Sequence, residues 1–134
     1  MTLAHEVRLL GWKIGFEWPA HCTLWKEPCI KSMVKTFGLK KVRFNGCKVG
    51  LVSERGVPIY KPWAIQTDLP SLADIFKGRS CDARNPEHSH DKCAGSETAK
   101  TSLYPEEMSK MVHSAISAAT ISTEWTHAKD EHKQ

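Results

Sequence analysis

The amino-acid sequence predicts an α/β fold, because short strand patterns and amphipathic helix patterns alternate along the chain. Its 134 residues fit one domain that is large enough to bury a core. Hydrophobic residues make up 40% and charged residues 25%, which is the composition of a globular protein rather than a globally disordered one. We therefore expect a small sheet with covering helices.

The N-terminal half predicts a helix, a strand, a second helix and a second strand. Residues 3–10 resemble the last turns of a helix, and residues 12–16 alternate apolar with polar or small side chains, as strands do. Pro28 begins the second helix, Gly38 ends it, and residues 41–45 form the next strand. The apolar stripe of the second helix consists of Ile30, Met33, Val34 and Phe37.

The middle of the chain is rich in strand patterns. Residues 49–52 and 58–60 flank a turn and predict a hairpin-like pair, and residues 63–67 predict a further strand. A short helix then begins at residue 68 or 69 and ends at Gly78. Residues 1–78 are therefore expected to form one partial α/β unit.

The last predicted helix begins at Pro105 and carries an apolar stripe. With the loop before it, this helix defines a second unit over residues 79–119. Hydrophobic periodicity is lost from residue 120, so residues 120–134 are expected to be a polar, disordered tail. The stripe consists of Met108, Met111, Val112, Ala115, Ile116 and Ala119.

The most informative local pattern is a group of soft metal ligands in the polar loop. Cys81, His88, His90 and Cys93 follow one another as Cys-x6-His-x-His-x2-Cys. Two thiolates and two imidazoles are the ligand set of a closed tetrahedral zinc site. The sequence therefore predicts zinc as cofactor in a structural zinc knuckle.

Two other interpretations of this loop remain open. The histidines and cysteines are incidental if the segment is an ordinary polar surface loop. Alternatively, His88 and His90 bind a catalytic metal in a metal-dependent hydrolase, with Glu87 or Asp91 as the base. An open coordination position would distinguish this hydrolase from a closed structural site.

Cysteine count and hydropathy bear on the compartment. Five cysteines are an odd number, which favours a reducing environment, zinc and free thiols over a disulfide framework. The apolar runs are too short for a membrane span, and the first residues lack the pattern of a signal peptide. We therefore expect an intracellular protein, cytoplasmic or nuclear, without a membrane partner.

A mild positive charge suggests DNA or RNA as an alternative partner. The net charge is +4, and the basic residues Lys40, Lys41, Arg43 and Lys48 lie close together in the sequence. A solvated protein face explains such scattered charges equally well. Tryptophans that could stack on bases, or serve as core residues, are Trp12, Trp18, Trp25 and Trp63.

Four segments together carry a family resemblance. They are Phe16-Glu17-Trp18-Pro19…Cys22…Trp25, Asn45-Gly46-Cys47-x2-Gly50-Leu51, Gly56-x-Pro58-x2-Lys61-Pro62-Trp63-x-Ile65-x-Thr67 and His88-x-His90-x2-Cys93-x-Gly95…Tyr104-Pro105. With these motifs the chain resembles a domain of retrotransposon polyproteins from marine eukaryotes. That domain is in turn similar to the later part of DNA cytosine-methyltransferase-like Rossmann domains.

The resemblance implies a partial Rossmann-like sheet and a mobile-element origin. Glu17 would match the glutamate that holds the target cytosine in such methyltransferases, and it also lies at a strand end, where ligands bind in open α/β sheets. Trp18 replaces the asparagine of that motif, and the cofactor loop and Pro-Cys nucleophile have no counterpart in this sequence. The expected function is a zinc-binding structural module, a fragment of a larger polyprotein domain without independent catalysis.

Overall fold

The structure is a computed structural model that describes residues 2–84, 88–93, 100–101 and 103–131, with residue 2 and residues 121–131 described by their backbone alone. The helices are α1 (Thr2–Leu9), α2 (Pro28–Phe37), α3 (Pro70–Phe76) and α4 (Glu106–Glu131). The strands are β1 (Gly15–Pro19), β2 (Lys40–Asn45) and β3 (Pro62–Thr67). Short 3-10 helices cover Thr23–Lys26 and Gly46–Lys48.

The three strands form one antiparallel sheet in the order β1-β3-β2. At its centre Ile65 of β3 pairs with Glu17 of β1 on one side and with Val42 of β2 on the other. This mixed α/β architecture agrees with the predicted fold class. A Rossmann-like sheet has parallel strands. Both strand pairs of the sheet in the described part of the chain are antiparallel, so the expected partial Rossmann-like sheet is not found there.

Two of the expected strands are reduced to isolated bridges. Val52 pairs only with Pro58, and Ile59 pairs with Asp91. The turn between Val52 and Pro58 forms as expected, with Gly56 at a positive φ of 76°. This hairpin-like segment therefore supports the later loop instead of extending the sheet.

One hydrophobic core lies between a single face of the sheet and helices α3 and α4. Its strand residues share the face of Ile65, because alternate residues of a strand point to the same side. The helices complete the core from the other side, so burial of this one face holds sheet and helices together. The core residues are Phe44, Val49, Leu51, Ile59, Trp63, Ile65, Leu72, Phe76, Met108, Met111 and Ala115.

The termini of α2 follow from its sequence. Pro28 occupies the first helical turn, where a missing N–H costs nothing, and Gly38 adopts a left-handed conformation at φ 63° and ends the helix. Helix α1 is attached through Arg8, which forms a 2.7 Å ion pair with Asp68 and donates to the carbonyl oxygen of Phe37.

Helix α4 is longer than the sequence suggested. It continues to Glu131, past residue 120, where a polar and disordered tail was expected. Loss of an apolar stripe does not end a helix by itself, and this segment contains neither glycine nor proline, the residues that disfavour a helix most. Residues 132–134 of the expected tail lie outside the described residues. None of the helices described here has the length and apolar character that crossing a bilayer requires.

Candidate metal centre

Four side chains with metal-binding atoms converge beside the end of β2. They are Cys47, Cys81, His88 and His90, and one ligand atom of each lies within 4.8 Å of the others. All four residues are partly buried. Three separate segments of the chain contribute to this group, which we call the Cys/His cluster.

Cys47 reaches the cluster because the chain turns sharply after β2. The residue before it, Gly46, is buried and donates its N–H to the carbonyl oxygen of Lys61 at 2.8 Å. A Cβ at Gly46 would lie 2.6 Å from Cδ2 of Leu51 and 3.2 Å from the carbonyl oxygen of Ile59. Glycine therefore allows the tight packing that sets the position of Cys47.

Cys81 is held next to Cys47 by Asn45, the last residue of β2. The backbone N–H of Cys81 donates to Oδ1 of Asn45 at 2.7 Å, and the backbone N–H of Asn45 donates to the carbonyl oxygen of Arg79 at 3.0 Å. Asn45 is buried, so these bonds are shielded from water. The segment after α3 is thereby fixed against the end of β2.

The two histidines lie on a loop that is anchored through Asp91. Its backbone N–H donates to the carbonyl oxygen of Pro58 at 2.8 Å, and Arg55 donates two hydrogen bonds to its carboxylate, at 2.9 and 3.2 Å. Hydrogen bonds from Ser53 and Arg55 lower the pKa of Asp91. The ring of Tyr60 packs edge-on against His90, with centroids 5.5 Å apart.

Inside the cluster, Sγ of Cys81 lies 3.6 Å from Nε2 of His90, and the two imidazole rings lie edge to face at 4.7 Å. Nε2 of His88 is buried and has no hydrogen-bond partner among the described residues. A buried polar atom of this kind is costly unless a ligand or a cation satisfies it. The cluster thus contains an imidazole nitrogen that is available to coordinate a cation.

The electrostatics of the cluster favour neutral groups when no cation is bound. Burial, together with the hydrogen bond and the proximity of Cys81, raises the pKa of the Cys47 thiol to about 12. Burial, and then the neighbouring His88, lower the pKa of His90. A divalent cation reverses the balance at the thiols, because it stabilises coordinating thiolates.

Of the predicted ligands, the structure brings together Cys81, His88 and His90 but places Cys93 elsewhere. Cys93 is exposed, and its Sγ lies 3.3 Å from Oγ1 of Thr101. The fourth member of the cluster is Cys47, which spacing along the chain could not reveal because the fold brings it to Cys81 from the sheet. Its only sequence signal is the Asn45-Gly46-Cys47 turn at a strand end.

Of the two acidic residues expected as the base of a hydrolase, Asp91 is the one that the structure describes. The carboxylate of Asp91 is engaged by Arg55 in a bidentate ion pair, and Glu87 lies outside the described residues. Glu17, the other acidic candidate, lies on β1 and accepts a 2.7 Å hydrogen bond from Tyr104. Burial raises the pKa of Glu17.

The four basic residues expected to form a patch do not share one face of the sheet. Lys41 and Arg43 lie on the face opposite the core, together with Phe16 and Trp18. Lys40 lies on the other face, at the start of β2, and Lys48 ends the 3-10 helix that carries Cys47. Among the tryptophans, Trp63 is buried in the core, Trp12 is 63% exposed, and Trp18 and Trp25 are partly buried.

Comparisons with protein-family models, with curated proteins and with solved structures found no match. The chemistry and placement of the side chains therefore carry the functional conclusion.

Proposed function

We propose that this chain is a zinc-binding structural module whose ligands are Cys47, Cys81, His88 and His90. The observation that carries the proposal is the convergence of two thiols and two imidazoles within 4.8 Å of one another. Ligands of a tetrahedral zinc site with bonds of 2.0–2.3 Å are separated by about 3.3–3.8 Å. Binding would therefore require the cluster to contract by roughly 1 Å.

A structural role is favoured over a catalytic one by the number of ligands. A catalytic zinc commonly keeps one position for water, whereas four protein ligands fill a tetrahedral shell. The ligands also come from distant places: the turn after β2, the segment after α3 and the loop anchored at Asp91. One ion would thus cross-link three separate segments of the chain.

The wider setting that we propose is an intracellular fragment of a mobile-element polyprotein without independent catalysis. The four sequence motifs support the mobile-element part, and the odd number of cysteines supports a reducing compartment. The antiparallel sheet gives no support to the methyltransferase-like part. The zinc proposal depends on neither.

Metal analysis of the purified full chain tests the proposal. The chain is prepared under reducing conditions with added zinc, dialysed, and its metal content is measured by mass spectrometry. We expect about one zinc per chain. After exchange with Co²⁺, the absorption spectrum should show thiolate-to-cobalt charge transfer and the intense d–d bands of tetrahedral cobalt. A chain that retains no metal, or an octahedral cobalt spectrum, would contradict the proposal.

A second candidate function is single-stranded nucleic-acid binding by the sheet face opposite the core. The observation that favours it is a cation–π contact: Nζ of Lys41 lies 4.4 Å from the ring centroid of Trp25. Trp25 in turn packs on Phe16 and Trp18, at 5.6 and 4.9 Å, and Arg43 shares this face. Aromatic rings beside basic side chains bind bases and phosphates without sequence preference.

Fluorescence anisotropy with a labelled oligothymidine at increasing salt concentrations tests this second candidate. We expect weak binding that decreases as salt rises, because phosphate contacts release counterions. Replacing both Lys41 and Arg43 with alanine should weaken binding, whereas Lys110→Ala, at an exposed position on α4, serves as the control. Absence of binding at low salt would exclude this function.

A further inference from the structure

A cleft runs between the edge strand β1 and helix α4, away from the Cys/His cluster. It consists of two adjoining cavities, of about 180 Å³ and about 550 Å³. Gly15, Leu72 and Val112 line both cavities, so the two are neighbours. Glu17 and Tyr104 also line the smaller cavity.

The walls of the cleft are mainly apolar. In the smaller cavity they are formed by Ile65, Leu72, Met108 and Val112. The larger cavity is lined by Ile14, Ile116 and the exposed residue Trp12. An apolar ligand body would therefore replace water against most of this surface, which is favourable.

One carboxylate oxygen of Glu17 has an unmet need for a donor. Its Oε2 accepts the hydrogen bond from Tyr104, whereas Oε1 is buried and has no hydrogen-bond partner within the described ranges. Lys61 is near enough to lower the pKa of Glu17 but does not supply this donor. Its Nζ donates to the carbonyl oxygen of Thr101 at 2.8 Å and lies over the ring of Trp63.

We propose that this cleft binds an organic amine, with the ammonium group donating to the carboxylate of Glu17 and the apolar body lying between β1 and α4. A positively charged donor matches both the missing hydrogen bond and the charge of the carboxylate. A carboxylate ligand would meet like charge at the same place, and an uncharged alcohol would gain only a weaker hydrogen bond.

The volume and shape set the size of the ligand. The smaller cavity accommodates the ammonium and the first few carbons of the ligand, and the larger cavity accommodates an alkyl chain or one ring. Hexylamine is a suitable probe because its chain is long enough to pass from Glu17 into the larger cavity. Hexanol and hexanoate have nearly the same apolar body and differ in the head group, so they isolate the contribution of the charge.

The test is a titration of the isotope-labelled, zinc-supplied full chain with these three probes, followed by nuclear magnetic resonance. Hexylamine should shift the amide signals of residues that line the cleft, such as Gly15, Thr67 and Val112. We expect it to bind at least about tenfold more tightly than hexanol, the equivalent of about 1.4 kcal/mol. Equal binding of hexanoate, or shifts confined to other surfaces, would overturn the proposal.

Two variants locate the site independently. Glu17→Gln should weaken hexylamine binding about tenfold and leave hexanol binding unchanged, whereas Glu106→Gln, at an exposed carboxylate on α4, should change neither. Ile116→Trp should block the larger cavity for both probes, and Ile116 is 49% exposed, so the fold tolerates the change. Unaltered hexylamine binding by a folded Glu17→Gln or Ile116→Trp chain would refute this site.

Discussion

The backbone N–H of Cys81 donates a 2.7 Å hydrogen bond to the side-chain oxygen of Asn45. This bond joins the segment after α3 to the last residue of β2. Since Cys47 follows Asn45 by two residues, the same contact brings the two thiols of the Cys/His cluster together. Asn45 is thus a positioning residue for a site to which it contributes no ligand atom.

The first prediction concerns this hydrogen bond. Asn45→Ala leaves the partly buried N–H of Cys81 without its acceptor, which should destabilise the fold by about 1–3 kcal/mol. Because Cys81 is no longer held in place by Asn45, zinc affinity should fall by roughly 10–100-fold in a competition titration with a chelator. Ser80→Ala removes only a long 3.4 Å bond to Arg43 and should leave zinc affinity unchanged. Equal effects of the two substitutions would show that Asn45 does not position Cys81.

The second prediction identifies the fourth ligand. Cys47→Ser and Cys81→Ser should each abolish stoichiometric zinc binding, whereas Cys93→Ser should retain about one zinc per chain. Cys93 is the matched control because it is a free cysteine next to the histidine loop, with its Sγ near Thr101 rather than in the cluster. Loss of zinc in the Cys93 variant, together with its retention in the Cys47 variant, would restore the ligand set suggested by spacing along the chain.

Features that depend on residues near one another in the sequence could be predicted from it. The bounds of α2 follow from Pro28 and Gly38, because both residues act within one turn of themselves. The three residues Cys81, His88 and His90 are neighbours along the chain, so spacing was sufficient to group them. Cys47 joins them through the pairing of β2 with β3 and the Asn45 contact, which are long-range and leave no local pattern.

The direction of the strands could not be predicted from the sequence for a related reason. Alternation of strands and helices is typical of parallel α/β sheets, yet β2 and β3 here are joined through turns and bridges around residues 46–61 instead of a crossover helix. That route returns the chain antiparallel to β2. Short apolar runs do not distinguish the two directions, so the mixed α/β class was predictable and the sheet topology was not.

The third prediction concerns pH and metal removal. Zinc binding displaces protons from the two thiols, and burial beside Cys81 already holds the pKa of Cys47 at about 12. Zinc affinity should therefore decrease as pH is lowered, with up to about two protons released per zinc bound near neutral pH. Calorimetric titration in buffers of different ionisation enthalpy measures this number. Chelation of the metal should also lower the melting temperature, and zinc should restore it.

The fourth prediction concerns the turn before Cys47. In Gly46→Ala the new Cβ would lie 2.6 Å from Cδ2 and 3.1 Å from Cβ of Leu51, which is itself buried in the core. Relief of this contact requires a shift of the turn or of Leu51, so stability should fall by about 1–3 kcal/mol. Urea unfolding of the zinc-free chain isolates this packing effect from metal binding. An unchanged unfolding midpoint would show that the turn relaxes freely.

The last prediction concerns the pH dependence of stability at Glu17. Burial raises the pKa of this carboxyl in the folded chain above its ordinary value of 4.5, although Tyr104 and Lys61 act in the opposite direction. The folded state therefore binds the proton more tightly than the unfolded state, and stability is lost as pH rises from about 4.5 through the raised pKa. Glu17→Gln carries no charge at any pH and should lack this loss.

The stability difference between Glu17→Gln and the unsubstituted chain should consequently shift in favour of the variant as pH rises from about 4 to 7. Urea unfolding at several pH values measures it, and Glu106→Gln, at an exposed carboxylate, controls for general charge effects. A shift in the opposite direction would mean that the hydrogen bond from Tyr104 and the charge of Lys61 outweigh burial. In that case the carboxylate is already stabilised as an anion, and its buried oxygen has less need of a ligand's ammonium group.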